Sequence, residues 1–271
     1  MILPSGTQYD LVFGDQRVTV VEVGGGLRAY TVGTRHVLDG YVDDTMCRSG
    51  RGQVLAPWPN RLEGGTYTFD GVEHRLALTE PESGSAIHGL VRWANWDAVE
   101  RDNARVVMEH LLHPQPGYPF TLLLRVEYAL GADGLSVRTS AENVGAGACP
   151  FGAGHHPYVA APTGRVDDLV LELAGNAPAP IGATELDTAF ADLARDSDGR
   201  WRVRAGDVTV WADAAWPYVQ VFTGDPLPDV ARRSLAVEPM TCPPNAFQTG
   251  EGLIRLEPGE SFTGAWGIAL S

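Results

Sequence analysis

The sequence predicts an all-β protein, and three observations support this fold class. Apolar side chains alternate with polar ones in several segments, most regularly in residues 121–130, where every second position from Leu122 is apolar. Turn-forming residues separate these segments, and the chain contains 32 glycines and 19 prolines. Helical periodicity is scarce. Short strands at this spacing are typical of a large sandwich or barrel, which we expect to form one domain over residues 1–271.

The expected elements follow from alternation and from the turns between them. Asp70-Gly71 is a two-residue turn signal and predicts a hairpin. A two-turn helix is expected at residues 186–194. Strands are predicted at residues 18–23, 66–69, 72–78, 105–112, 121–130, 135–142, 168–173, 208–212, 218–223, 234–237 and 261–270.

The composition excludes several classes of protein. The chain has 20 basic and 34 acidic residues, a formal net charge of -14, and every basic residue is arginine. A chain without lysine cannot form the Schiff bases of lysine-dependent aldolases and pyridoxal enzymes. It also lacks the phosphate-binding lysine of P-loop hydrolases and protein kinases. Its negative charge disfavours nucleic acid and membrane surfaces as partners, but not neutral ligands.

The cysteines and the first residues predict a cytoplasmic protein. Cys47, Cys149 and Cys242 are odd in number and lie far apart, so a disulfide framework or zinc site is not expected. Residues 1–13 contain neither a basic start nor a long apolar run, and we therefore expect no signal peptide. No apolar stretch reaches the roughly 18 residues of a membrane span.

Two histidines lie in constrained loops. His88 follows the small residues Ser85 and Ala86 and precedes Gly89, so a ligand could approach the backbone closely. His156 precedes Pro157, which restricts it to extended geometry. A histidine taken alone is more often structural than functional, and both interpretations remain open at this point.

Arg61 and Glu238 are the charged candidates. Arg61 follows Asn60 in a proline-rich turn, where it could anchor backbone carbonyls or hold a ligand hydroxyl. Glu238 ends an apolar segment and is followed by Pro239. Because that segment is predicted to be buried, its carboxylate needs a partner or a function.

Other chemistries find little support. His155 and His156 are neighbours in an extended segment and should point to opposite faces, so no metal site is expected. The chain contains neither a Gly-x-Ser-x-Gly nor a Gly-x-Gly-x-x-Gly motif. The tryptophans are equally compatible with a core role and with stacking on a sugar ring. Those in question are Trp58, Trp93, Trp96 and Trp216.

Five short motifs occur together in a recognisable order. They are Asn60-Arg61 before a Tyr-x-Phe hairpin, Ile87-His88-Gly89, His156-Pro157-Tyr158, Leu186-Asp187 and Val237-Glu238-Pro239. In this order the chain resembles the aldose 1-epimerase (galactose mutarotase) family from about Gln53 to Glu260. The resemblance implies a large antiparallel β-supersandwich of the galactose mutarotase type, with the site in a cleft on one broad sheet.

The resemblance also implies roles for the motif residues. Glu238 would be the general base and His156 the general acid of an anomer interconversion. The substrate-binding residues would be Arg61, His88, Asp187, Asn60 and Tyr158. The substrate would be a monosaccharide, and the reaction would need neither a cofactor nor a metal.

Three alternatives remain beside this hypothesis. A hexose-6-phosphate 1-epimerase could use Arg48 and Arg51 to bind the phosphate. A non-catalytic carbohydrate-binding protein could use the same cleft. A glycosidase could use Glu238 and Asp187 as its paired carboxylates.

Overall fold

A computed structural model describes residues 2–228 and 230–270 of the chain. Strands dominate this part of the protein, accompanied by a short 3₁₀ turn at Val166–Asp168 and one short helix, α1, at Ala246–Thr249. The strands are β1 (Gln8–Phe13), β2 (Gln16–Val21), β3 (Leu27–Val32), β4 (Arg35–His36), β5 (Val54–Leu55), β6 (Arg61–Glu63), β7 (Thr66–Phe69), β8 (Val72–Arg75), β9 (Ser85–Ile87), β10 (Asp97–Arg101), β11 (Arg105–Leu112), β12 (Leu122–Gly131), β13 (Gly134–Asn143), β14 (Cys149–Phe151), β15 (Gly154–His155), β16 (Tyr158–Ala160), β17 (Val170–Glu172), β18 (Ala179–Pro180), β19 (Asp187–Phe190), β20 (Trp201–Ala205), β21 (Val208–Ala212), β22 (Tyr218–Phe222), β23 (Ser234–Met240), β24 (Ile254–Leu256) and β25 (Ser261–Leu270).

The strands form two large antiparallel sheets and several smaller ones. A nine-stranded sheet has the order β10-β11-β12-β13-β25-β21-β20-β17-β18. A six-stranded sheet has the order β19-β22-β23-β15-β5, and β16 also pairs with β23. The N-terminal β1–β4 form a four-stranded sheet, whereas β14-β24, β6-β9 and β7-β8 are two-stranded. The predicted all-β antiparallel class is confirmed.

Alternation along the strands builds the core. In β12 the apolar residues at even positions from Leu122 to Leu130 are buried, as the sequence pattern predicts. Among the tryptophans of uncertain role, Trp58, Trp96 and Trp216 belong to the core. Trp93 differs because 49% of its surface is exposed.

The short-range predictions succeed where a turn or an alternating pattern is strong. The hairpin of β7 and β8 turns at Asp70 and Gly71, which both have positive φ, as a tight two-residue hairpin turn requires. The predicted helix at residues 186–194 is wrong, because residues 187–190 form β19. This strand pairs with the edge of β22, and its backbone hydrogen bonds to that edge outweigh a weak local helix preference.

The strand β23 forms the centre of the site-bearing sheet. All seven of its residues are buried, which confirms that the segment around Glu238 lies in the interior. It pairs with β22 on one side and with β15 and β16 on the other. Side chains from distant parts of the chain therefore meet around it. None of the helices in the described part of the chain is long and apolar enough to cross a membrane.

A buried side-chain amide at the end of β13 gives a test of the fold. Asn143 is fully buried; its Nδ2 donates to the carbonyls of Gly147 and Leu256, each at 2.8 Å, and its Oδ1 accepts from the Gly145 amide at 2.9 Å. Asn143→Ala leaves these groups unpaired and should lower the free energy of unfolding by about 3 kcal/mol. Urea denaturation measures the loss. The exposed Asn103→Ala is the matched control, and equal midpoints for the two variants would contradict the expectation.

Candidate active site

One cavity of about 610 Å³ opens beside β23, and its walls contain all seven residues singled out from the sequence. Four of them belong to the strands β6, β16, β19 and β23, and three lie in loops next to β6, β9 and β15. The seven are Asn60, Arg61, His88, His156, Tyr158, Asp187 and Glu238. Asn60 and Glu238 thus line the same cavity although they are 178 positions apart in the sequence.

Glu238 and His156 are neighbours in this cavity. Glu238 Oε1 lies 3.4 Å from His156 Nε2, and their side chains are only 2% and 5% exposed. Burial raises the pKa of Glu238 well above its usual range, and the Asp187 carboxylate adds to this shift. Burial also lowers the pKa of His156, with a further contribution from the positive charge of Arg51. Desolvation therefore favours the uncharged forms of both groups.

Hydrogen bonds fix the main chain of His156. Its N–H donates to the Gln53 carbonyl at 3.2 Å, and its carbonyl accepts from the Gly52 amide at 2.8 Å. Gly50 lies so close that a Cβ there would come within 2.7 Å of the imidazole Cδ2. His155 points the other way, as predicted, and its Nε2 lies 2.7 Å from Thr139 Oγ1 in the core.

Arg61 is held by carboxylates rather than by backbone carbonyls. Its Nε and Nη2 donate to the two oxygens of Glu80, with the Nη2–Oε1 distance at 3.0 Å. Its Nη1 lies 3.6 Å from Asp187 Oδ2. Asp187 also accepts a hydrogen bond from Gln220, which lies opposite Glu238 in the sheet. The guanidinium is thereby fixed at the cavity wall with one edge directed toward Asp187.

The pairing of β6 with β9 brings Asn60 and His88 together. The Asn60 N–H donates to His88 Nδ1 at 3.2 Å, and the His88 N–H donates to the Asn60 carbonyl at 2.9 Å. Because Nδ1 accepts this bond, the neutral ring carries its proton on Nε2. Burial lowers the pKa of His88 well below its usual range, and the neighbouring His156 contributes to the shift. His88 is therefore an uncharged donor whose ring lies 5.2 Å from that of His156.

Tyr158 supports His156 from its ring face. The two rings are 4.9 Å apart and within 11° of parallel, and the Tyr158 hydroxyl donates to the Ser49 carbonyl at 3.0 Å. The hydroxyl is thus already engaged by the backbone. The Tyr158 ring lies in the wall of the cavity and stacks on the imidazole.

The sequence interpretation missed several residues of the site. Glu80 and Gln220 carry no motif, and only the structure reveals that they hold Arg61 and Asp187. Arg92 also lines the cavity, and its position shortly after the His88-Gly89 motif was the available signal. Trp93, for which the sequence left both a core role and sugar stacking open, lines the cavity as well. A further aromatic in the wall is Phe222.

The expected role of Arg48 and Arg51 in holding a phosphate is not supported. Neither residue lines the cavity. Arg51 is buried, and its Nη2 donates to Asp39 Oδ2 at 3.0 Å. An arginine so paired inside the protein cannot reach a ligand in the cavity. Within residues 2–228 and 230–270, no three histidine, cysteine, aspartate or glutamate side chains cluster as a metal site would require.

Comparison with known proteins identifies the family of this chain. Residues 8–198 match the sequence model of the family Aldose 1-epimerase, and the chain belongs to this family. The Escherichia coli protein YihR is 34% identical over 288 residues, which covers 94% of this chain and 91% of YihR. The Escherichia coli protein YphB is 27% identical over 296 residues, covering 95% and 96% of the two chains.

Solved structures agree with the fold. A GalM/aldose epimerase homologue from C. elegans superimposes with a TM-score of 0.83 at 15% identity, covering 98% of each chain. A galactose mutarotase-like protein from Clostridium acetobutylicum has a TM-score of 0.79 at 14% identity, again covering 98% of each chain. The expected β-supersandwich of the galactose mutarotase type is confirmed.

Burial of uncharged histidines makes the stability of the protein depend on pH. Burial lowers the pKa of His155 to about 3, whereas an unfolded histidine titrates near pH 6.5. Between these values the unfolded chain binds a proton that the folded chain does not. This contribution is therefore fully present above about pH 6.5 and is lost as pH falls, by about 1.4 kcal/mol per pH unit.

His155→Gln removes this contribution. From about pH 5 to pH 6 the free energy of unfolding should rise less steeply in the variant, by about 1.4 kcal/mol per pH unit. Chemical denaturation at several pH values measures both slopes. Above about pH 7.5 the two slopes should coincide, and equal slopes in the acid range as well would rule out a buried uncharged His155.

Proposed function

We propose that this protein is an aldose 1-epimerase (mutarotase) that interconverts the α and β anomers of a free aldose by opening and reclosing the sugar ring. The observation that carries the proposal is the contact between Glu238 Oε1 and His156 Nε2 at 3.4 Å in a cavity lined by hydroxyl-binding side chains. A carboxyl and an imidazole are the two groups that this reaction needs. The cavity volume of about 610 Å³ accommodates a monosaccharide.

The chemistry consists of two proton transfers in each direction. The Glu238 carboxylate takes the proton of the anomeric hydroxyl while the His156 imidazolium gives its proton to the ring oxygen. The bond from C1 to the ring oxygen breaks and C1 becomes a carbonyl. Rotation about the C1–C2 bond presents the other carbonyl face, and the reverse transfers reclose the ring. Such acid–base assistance typically contributes about 10²- to 10⁴-fold to the rate.

The pair carries the same single proton throughout the cycle. It is a carboxylate with an imidazolium when the sugar is cyclic, and a carboxylic acid with a neutral imidazole when the sugar is open. Burial favours the uncharged form, which belongs to the open-chain stage. The positive charge of Arg61 lowers the pKa of Glu238 and so favours the carboxylate needed at the cyclic stage. These opposing effects keep both protonation forms of the pair accessible.

The remaining polar residues are suited to hold sugar hydroxyls. His88 offers an Nε2–H donor, because its Nδ1 is already occupied by Asn60. Arg61 and Asp187 offer a fixed donor and acceptor in the same cavity wall. We assign these four residues to substrate binding and Tyr158 to the same wall, where it stacks on the acid.

Two rival functions fit the site less well. A protein that only binds carbohydrate has no need to bury a carboxyl and an imidazole in contact, which costs desolvation free energy. A glycosidase would use Glu238 with Asp187, but Asp187 is already engaged by Arg61 and Gln220. His156 would then have no role.

Replacing either member of the pair tests the proposal. Glu238→Gln and His156→Gln should each slow enzyme-accelerated mutarotation by about 10²- to 10⁴-fold, because one proton transfer loses its group. Polarimetry of freshly dissolved α-anomers measures the rate, and thermal unfolding checks the fold. The exposed Glu73→Gln and His113→Gln are matched controls. Near-normal turnover by both site variants would exclude the assignment, and a wild-type protein that binds sugar without accelerating mutarotation would favour the binding-protein alternative.

One observation favours a second candidate, an epimerase for an aldose with an anionic group such as a 6-phosphate. Arg92 lines the cavity, donates to the Ile87 carbonyl at 3.3 Å and lies 5.9 Å from the ring of Trp93. Within the described part of the chain no carboxylate forms a salt bridge with it, whereas Arg61 has two such partners. A guanidinium of this kind can bind an anion.

Rates on glucose and glucose 6-phosphate separate the two candidates. If an anionic group binds Arg92, Arg92→Gln should reduce kcat/KM for the phosphorylated sugar by about 10- to 100-fold, the value of a charge-assisted hydrogen bond, and leave glucose unchanged. Arg101→Gln, which lies outside the cavity, is the control. A wild-type preference for glucose together with no selective loss in Arg92→Gln would leave the free aldose as the substrate.

A further inference from the structure

The imidazole of His156 lacks the hydrogen bond that usually orients such a ring. Its Nδ1 is buried and has no hydrogen-bond partner among residues 2–228 and 230–270. Its Nε2 faces Glu238 and is the nitrogen that would give and take a proton during the reaction, so no permanent hydrogen bond holds it. The orientation of the ring must therefore come from packing. Tyr158 provides the parallel contact, at 4.9 Å between ring centroids and 11° between planes.

Tyr158 is in turn contacted by a buried cation. The guanidinium carbon of Arg51 lies 4.2 Å from the centroid of the Tyr158 ring, well within the range of a cation–π interaction. Such an interaction is stronger for a desolvated cation than for an exposed one. The Arg51 side chain is only 5% exposed.

Arg51 is itself held rigidly from behind. Its Nη2 donates to Asp39 Oδ2 at 3.0 Å and to Ser234 Oγ at 3.2 Å. Ser234 Oγ donates to the same Asp39 oxygen at 2.7 Å, so the guanidinium, the hydroxyl and the carboxylate form one hydrogen-bonded cluster. The Arg51 Nε has no hydrogen-bond partner in the described residues, although it is buried. Leaving an N–H unpaired is costly. The guanidinium is therefore held by its bonds to Asp39 and Ser234 and by its contact with the face of the Tyr158 ring.

We propose that Arg51 is a positioning residue for the acid of this site, holding Tyr158 against His156 and so fixing the imidazole toward the ring oxygen of the sugar. This inference rests on the proposed mutarotase function for its catalytic consequence, but not for its structural one. Arg51 does not line the cavity and so touches no substrate. Its charge also contributes to lowering the pKa of His156, which provides a second readout.

Arg51→Met and Arg51→Lys test the inference, with Arg233→Met as the matched control. Arg233 Nε binds the same Asp39 oxygen at 3.0 Å but lies on the exposed side. Arg51→Met should lower kcat by about 10- to 100-fold with little change in KM, since misplacing a reacting group costs rate rather than binding. Arg51→Lys keeps the charge but loses the planar group, so it should lower kcat as well. Arg233→Met should behave as the wild type.

Histidine NMR gives a readout that is independent of activity, with the His156 signal identified from its absence in His156→Gln. In the wild type this signal should show the ring-current shift of a ring stacked on tyrosine. Arg51→Met and Arg51→Lys should both reduce that shift. Only Arg51→Met should also move the His156 titration to higher pH, because a nearby positive charge lowers an imidazole pKa.

The outcomes are distinguishable. An unchanged His156 signal in both Arg51 variants, or an equal effect of Arg233→Met, would overturn the positioning role. A wild type inactive on every aldose would overturn the proposed function alone, since the NMR comparison would still decide whether Arg51 holds the ring. If Arg51→Met does not fold, Arg51→Lys carries the same test of the stack.

Discussion

The burial of an acid and a base in contact is the constraint on which the rest of this site depends. Glu238 and His156 line the cavity, but their side chains are almost fully buried, so water solvates their charges poorly. Burial raises the pKa of Glu238 and lowers that of His156, so it favours the carboxylic acid with a neutral imidazole over the ion pair. A pair of this kind can pass its proton in either direction, which is what a reversible ring opening requires.

The surrounding structure keeps this pair in place without neutralising it. Two neighbouring arginines are paired with other carboxylates: Arg61 with Glu80 and Asp187, and Arg51 with Asp39. None of these side chains forms a salt bridge to the Glu238 carboxyl. Ring stacking orients the imidazole, and hydrogen bonds of the main chain hold the backbone of His156. The fold therefore holds the pair by packing. Hydrogen bonds to the two side chains would instead have favoured one protonation form.

The fold could be predicted well from local patterns and poorly where an element depends on its neighbours. The strands β11, β21 and β25 have the predicted bounds, because alternation and flanking turn residues are local signals. The strand β19 was mistaken for a helix, since only the exposed edge of β22 makes it a strand. In the site, motif residues were found, whereas Glu80 and Gln220 were not, because a residue that orients another carries no pattern of its own. The alternative that Arg51 binds a phosphate was based on its proximity to Arg61 in sequence, but its side chain donates to Asp39.

The sequence by itself determined the antiparallel all-β class, the exclusion of lysine chemistry and the seven motif residues that line the cavity. These follow from alternation, composition and short motifs, which are properties of adjacent residues. The tertiary structure alone decided which polar groups touch, which guanidinium faces the cavity and which protonation states burial favours. These depend on distances and solvent exclusion between segments far apart in the chain, and no local pattern encodes them.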